Sequence, residues 1–357
     1  MSSEVIDIAG SIAADREGVA VRDPVIDVAR GIAILLVVLG HNGAINRWSP
    51  ELVDVIFLFH VPLFFLLSGY VFRREGWNAV LAKLTRRLLV PCFAAALLIG
   101  AIKSFSRDEA FEQMLVGVAW ATGQTLAWSH LWFLPTLFLA LLVTQLAGYL
   151  FGERPAAWTA GVVMAIALAA VTPESSLTLA NYSFPAPVGL PWGVDVLTLC
   201  LVFVFAGQLL RNSPWLAKRV RSTTVGVAAA ILFAWSVTVA SVDLNMRMFT
   251  PFFPALLAAV SGCVIALNVA EAICRSAALA RLVAFVGRHT MPIFLLHVSI
   301  QKALLKLDAR FELPMDHACI KGLLTAALAI ALAVIVERYV IAPIKPLRYL
   351  FLPERAR

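Results

Sequence analysis

Long apolar runs separated by short polar or proline-rich connections make up most of the chain. A helix that crosses a bilayer needs roughly 20 mostly apolar residues. Ten segments fit that requirement, near 29–46, 52–72, 87–103, 131–151, 156–172, 192–210, 223–242, 250–273, 282–304 and 320–342. The pattern predicts an all-α, polytopic membrane helix bundle of about ten transmembrane helices. The segments 87–103 and 156–172 are the shortest. The stretch 104–129 is too polar at its start to span easily and reads as interfacial or re-entrant. Residues 1–27 are polar, with six acids against Arg16 and Arg22, and lack the basic start and apolar stretch of a cleavable signal peptide. They read as a loose cytoplasmic tail. Beyond 345 only a short basic tail, 346–357, is expected, with no second, soluble domain and no internal repeat.

Composition supports the membrane assignment. Of 357 residues, 61% are hydrophobic and 14% charged, and the mean hydropathy is +0.87. A soluble domain carries about 25% charged residues, so this chain has too few to clothe a water-facing surface. Disorder, collagen-like repeats and coiled coil are excluded by the same figures. The net charge of +7 would suggest nucleic acid in a soluble protein, but the positive-inside bias accounts for it here, and no nucleic-acid partner is expected. With the N-terminus inside, the inner segments collect 21 of the 29 Lys and Arg and the outer ones 8. Both termini are therefore placed in the cytoplasm. Cys92, Cys200, Cys263, Cys274 and Cys319 are scattered without metal-ligand spacing, read as small hydrophobes, and no metal site is expected.

Ionisable groups inside a bilayer cost several kcal/mol and are functional candidates by default. The first such set lies in the run from Asp27 through Arg30 to His41. Eleven helical residues complete about three turns, which puts Arg30 and His41 on one face roughly 16 Å apart. Asp27 lies three residues before Arg30, within pairing distance on a helix surface. Arg30 is also readable as a positive-inside flank, and His41 as a histidine hydrogen-bonded between helices. A neutral imidazole at His41 can instead take a proton from a hydroxyl as a general base.

Other polar groups follow the same logic. His60 reaches the depth of His41, Pro62 frees a backbone carbonyl, and Ser68-Gly69 permits close helix approach. Arg73, Arg74, Lys83, Arg86 and Arg87 are five cations on the inner side, suited to phosphates and equally to topogenesis. His130 and Trp132 open the fourth helix, where a belt role for the tryptophan is the commoner use. His289 and His297 in the ninth helix stand about 80° apart and need not face one cavity. Glu337-Arg338 closes the last helix and reads as an interfacial pair.

Together these segments resemble the membrane acyltransferase-3 family, O-acyltransferases that acetylate cell-surface sugars. The resemblance is carried by Arg30 and His41 within DVARGIAILLVVLGH, FHVPLFFLLSGYVF at 59–72, HLWFLPTLF at 130–138, FAGQLLR at 205–211 and GRHTMPIFLLH at 287–297. It runs from about 25 to 345 and looks closest to the fucose 4-O-acetylase-like branch. It implies that 28–345 form a transmembrane acyltransferase domain in the bacterial inner (plasma) membrane. The essential histidine of the family maps to His41 and its paired basic residue to Arg30. Lys83 stands where the cytoplasmic basic motif of the family would want arginine.

The resemblance implies no tightly bound cofactor. Cytosolic acetyl-CoA would be the acyl-donor substrate, with a glycan or lipid-linked sugar as acceptor and membrane lipids as surroundings. Asp27, Arg30 and His41 are the expected catalytic set. The expected binding residues are His60, Ser68, Lys83, Arg86, Arg87, His130, Trp132 and His297. Whether His41 acts as base or is itself acylated stays open at this level. A transporter, or a scaffold subunit of glycan assembly with structural histidines, is the competing reading.

Overall fold

The computed structural model describes residues 23–107, 111–171, 189–311 and 318–352. Most of the predicted tail 1–27, and 353–357 of the basic tail, lie outside these residues. Helix α1 (Pro24–Gly40) is opened by the Asp23 carboxylate, which accepts from the Val25 N–H. It stops at Gly40, because Asn42 caps the next helix, α2 (Gly43–Trp48), through its Oδ1. The predicted segment 29–46 is thus two helices broken at His41.

Helix α3 (Pro50–Phe57) and α4 (His60–Val71) make up the second segment. Their break falls at Leu58-Phe59, where Pro62 has no N–H to offer the Leu58 carbonyl. The third is α5 (Trp77–Leu84), a π-turn at Thr85–Leu89 and α6 (Val90–Arg107). Then come α7 (Phe111–Trp120), α8 (Phe133–Phe151) behind a 3₁₀ turn at Ser129–Trp132, and α9 (Pro155–Val171). Helix α7 has 10 residues, too few to span, which agrees with an interfacial or re-entrant 104–129.

A 3₁₀ turn at Pro191–Val196 leads into α10 (Leu197–Asn212), followed by α11 (Pro214–Val220) and α12 (Thr223–Val237). The strands β1 (Ser241–Asp243) and β2 (Met248–Thr250) form an antiparallel hairpin pairing Val242 with Phe249. The bundle is otherwise all-α, as expected, and this short hairpin takes the end of the predicted segment 223–242. After it come α13 (Phe252–Cys274), α14 (Ala277–Arg288), α15 (Thr290–Phe311), α16 (Ala318–Val336), a π-turn at Glu337–Ile341 and α17 (Lys345–Phe351). Part of the predicted basic tail is therefore helical.

Among the described residues, six helices are long and apolar enough to cross a membrane, or up to eight if each bent pair is one span. The bent pairs are α11 with α12, at 59°, and α14 with α15, at 76°. The second bend corrects the straight span expected at 282–304. Pro292 has no N–H for the Arg288 carbonyl, and the chain turns there. Helices α1 and α9 have 17 residues each, short of the roughly 20 that a span needs.

Small residues set the closest crossings. A Cβ on Gly69 would strike the Val204 carbonyl, and one on Gly207 the Leu66 carbonyl, so α4 and α10 touch backbone to backbone. Gly31 and Gly287 do the same for α1 and α14. The FAGQLLR run proves structural: Gln208 Nε2 donates to the Gly69 and Phe72 carbonyls at 2.6 and 2.9 Å, closing the end of α4.

Candidate active site

Four histidines from four parts of the chain meet at one end of the bundle. The His41 ring lies 6.3 Å from His60, 6.0 Å from His130 and 5.5 Å from His297, centroid to centroid, and His130 lies 5.0 Å from His297. Three of them occupy irregular backbone. His41 follows the last residue of α1, His60 opens α4, and His130 sits in the 3₁₀ turn before α8. Broken helices are tolerated at membrane depth only where the freed backbone is buried in protein or lines a cavity, and here the breaks surround a cavity.

Backbone carbonyls orient the rings. The Nδ1–H of His41 donates to Val37 O at 2.9 Å, that of His60 to Ile56 O at 2.9 Å, and that of His297 to Phe294 O at 2.9 Å. A carbonyl only accepts, so Nδ1 carries the proton and Nε2 of the neutral ring carries the lone pair. That is the tautomer a general base needs. Among the described residues, Nε2 of His130 and of His297 has no hydrogen-bond partner.

The neighbouring chain is tied down at the same place. Asn42 Nδ2 donates to Gly322 O at 3.0 Å and Thr325 Oγ1 at 2.9 Å. Gln301, one turn beyond His297, donates to Val38 O at 2.9 Å. Both fix the end of α1, and with it His41.

The chamber bounded by His41, His60, His130, Trp132 and Phe294 has a volume of about 60 Å³. Asp243 and Asn245 of the hairpin also line it. Asp243 belongs as well to an adjoining cleft of about 860 Å³ that contains His41, Asn46, Glu51 and Asp54. Burial raises the Asp243 carboxyl above its usual range, against the lowering effect of the Met246 and Asn245 N–H groups. The hairpin is held by Arg247, whose Nε donates to Asp195 Oδ2 at 2.8 Å and whose Nη1 donates to Asn245 O at 2.6 Å. Nothing in the sequence pattern pointed to Asp243, because three-residue strands are too short to show alternation.

A second cavity, of about 470 Å³, lies at the other end of the same helices. Arg30, Arg73, Lys83, Arg87 and Arg288 bring five cations to its lining, and Ser68 and Glu337 are there too. Of the predicted residues, Arg30, Ser68, Lys83 and Arg87 are brought together here. Asp27 lies beside it, its carbonyl against Gly287. Arg86 is placed elsewhere, over the Tyr349 ring at 5.8 Å. Lys83 is ion-paired with Glu75.

Arg73 was one of the five inner cations read as suited to phosphates, whereas Arg288 was not among the expected binding residues, although its position at a helix end is a readable signal. Glu337 is buried at 2% exposure and lies 3.7 Å from His289 Nε2. It is not the interfacial pair that its neighbour Arg338 suggested. His289 sits at the bend before α15, apart from His297, as the 80° separation implied.

The family profile described as an acyltransferase domain matches residues 23–337, which takes in the histidine chamber and all of the cationic cavity but Phe351 and Leu352. Two curated proteins, each named Nodulation protein NolL, are similar over part of the chain. That of Sinorhizobium fredii (strain NBRC 101917 / NGR234) is 32% identical over 126 residues, covering 30% of this chain and 34% of the relative. That of Mesorhizobium japonicum (strain LMG 29417 / CECT 9101 / MAFF 303099) is 32% identical over 94 residues, covering 23% and 25%. The chain thus matches about a third or less of the length of these relatives. No solved structure matches.

Proposed function

The chain belongs to the acyltransferase-3 family, and on that premise we propose that it is an integral membrane O-acyltransferase. The donor is an acyl-CoA, acetyl-CoA in the first instance, and the acceptor is a hydroxyl of a cell-surface or lipid-linked sugar. The observation that carries the reading is the pairing, in one bundle, of a five-cation cavity with a cluster of four histidines, three of which line a small chamber. A CoA thioester has multiply charged phosphates at one end and an uncharged acyl group at the other. Its head suits the cationic cavity, where arginine forks match phosphate oxygens. The acyl end then points along the bundle toward His41.

The reaction needs one proton acceptor. Nε2 of His41 takes the proton of the acceptor hydroxyl, and the oxygen attacks the thioester carbonyl. That attack forms the C–O bond of the ester in a tetrahedral intermediate, whose collapse breaks the C–S bond. The departing thiolate receives the proton from His41. His60, His130 and His297 pack around this centre, and Asp243 lies where the acceptor enters from the outer cleft. Arg30 and Asp27 stand on the donor side. In this reading the basic end and both termini face the cytoplasm, the chain sits in the bacterial inner membrane with about ten spans, and no metal is required.

The fucose 4-O-acetylase-like branch and surface polysaccharide modification are the finer parts of the proposal. Partial similarity to the nodulation proteins does not identify an acceptor. The test uses the purified full-length chain in lipid nanodiscs with acetyl-CoA and surface glycan from a deletion strain. Release of CoA that requires the glycan supports the proposal. Glycan movement across proteoliposomes without CoA release would replace it with a transporter.

A further inference from the structure

Three phenylalanines belong to both chambers at once. Phe64 on α4, Phe133 at the start of α8 and Phe294 on α15 line the histidine chamber on one side and the cationic cavity on the other. The Phe64 and Phe133 rings lie 5.8 Å apart and the Phe133 and Phe294 rings 5.9 Å apart, within the range of direct aromatic contact. Phe65 backs Phe133 at 5.0 Å, and Phe294 lies 5.1 Å from His130. The two chambers therefore share an apolar wall of aromatic rings.

The volumes on its two sides differ sharply, about 470 Å³ against about 60 Å³. A water molecule needs about 10–15 Å³ of such space, so the chamber behind the rings holds only a handful of water-sized groups before it meets the outer cleft. A long acyl chain does not fit within that chamber and would have to fill the cleft that receives the acceptor.

The consequence rests on the acyltransferase reading above. Reacting atoms must come within about 3–3.5 Å, yet the phosphates of the donor belong to the cationic side and the base to the other. The acyl group has to reach His41 through the place where these rings stand. We infer that Phe64, Phe133 and Phe294 form an acyl-size filter, which passes an acetyl group and holds back butyryl and longer chains. The donor class is thus a short-chain acyl-CoA. The same rings keep bulk water of the cationic cavity away from the thioester, which favours transfer to the sugar over hydrolysis.

The test reads a ratio. Detergent-permeabilised membranes from a deletion strain, carrying the wild-type or a variant full-length chain, are given acetyl-CoA or butyryl-CoA. Acetyl and butyryl esters on the native glycan are then counted by mass spectrometry. Each methylene in an apolar pocket discriminates by about 10–200-fold, so the wild type should form at least tenfold fewer butyryl than acetyl esters. Phe64→Ala should raise the butyryl-to-acetyl ratio by about tenfold or more, with Phe64→Leu and Phe294→Leu giving smaller rises.

Truncating a packed ring also weakens the fold, but the ratio does not depend on how much folded protein survives. The two leucine variants preserve most of the packing. A wild type that uses both donors equally, or a ratio that stays within about twofold in all three variants, overturns the filter. A wild type that forms no ester from either donor overturns the acyltransferase reading and the filter with it, and does so before any variant is compared.

Discussion

At the histidine end, His60, His130 and His297 are buried and His41 is half-buried, three rings are pinned through Nδ1 to a carbonyl three or four residues earlier, and Asn42 and Gln301 lock the end of α1. At the cationic end the charges sit on long side chains near helix termini, with Arg73, Arg87 and Arg288 exposed. The first region is small and over-determined, and the second is about eight times larger in volume, adjustable and open. Proton transfer needs a fixed lone pair at hydrogen-bond range, whereas holding a polyphosphate needs charge and reach more than exact register. Substitutions at the two ends should therefore fail in different kinetic parameters.

The largest expected effect is at the rigid end. His41→Ala should lower the acyl-transfer rate by about 10²–10⁴-fold, the usual worth of a positioned base, with membrane insertion and yield nearly unchanged. Retention of more than about a tenth of the rate would remove His41 from that role.

At the adjustable end the effect should appear in donor affinity. Arg73→Gln with Arg87→Gln should raise KM for acetyl-CoA by about 100-fold or more, since hydrogen bonds to charged groups contribute about 1.5–3 kcal/mol each, and should flatten its salt dependence. KM for the acceptor should barely move. Arg86→Gln should change donor KM much less, because Arg86 lies against Tyr349. Equal effects of Arg86 and Arg87 would return both to topogenesis, as would orientation reporters showing inverted protein.

Arg30 stands on α1, which ends at His41, and it lines the cationic cavity. Arg30→Lys keeps the charge and loses the planar fork, so kcat/KM should fall about tenfold, the loss of roughly 1.4 kcal/mol, with unchanged topology in reporter fusions. Wild-type kinetics in that variant would make Arg30 only a flank. The smallest effect should be Asn42→Ala. It removes a cap and two buried hydrogen bonds for about 1–2 kcal/mol, lowering Tm by a few degrees. A kcat that falls while donor KM holds would show that the Asn42 lock serves the rigid end alone.

Much of this arrangement was legible in the chain. Apolar runs located the helices, and the cost of burying ionisable groups singled out Arg30, His41, His60, His130 and His297. The breaks were legible only in part. Pro62 signalled an interruption, but the break at His41 lay within the segment expected at 29–46, and Pro292, where the chain bends by 76°, lay inside a run long enough to look continuous. Asp243 was hidden because the hairpin is short and sits at the margin of an apolar segment. Glu337 looked interfacial beside Arg338, since sequence adjacency cannot show that the π-turn buries one and exposes the other. The convergence of Phe64, Phe133 and Phe294 is wholly tertiary. Each reads locally as an ordinary core residue.

The central claim is that donor and acceptor enter from opposite ends of one bundle and meet at His41. Sidedness tests it directly. Sealed membrane vesicles of both orientations, each holding the native glycan, are given acetyl-CoA from outside only, and ester formation is counted by mass spectrometry. The account predicts esters only where the cationic end faces outward, with none in the opposite orientation until the vesicles are opened. Equal ester formation in both sealed orientations, or formation only where the histidine end faces the donor, would contradict it.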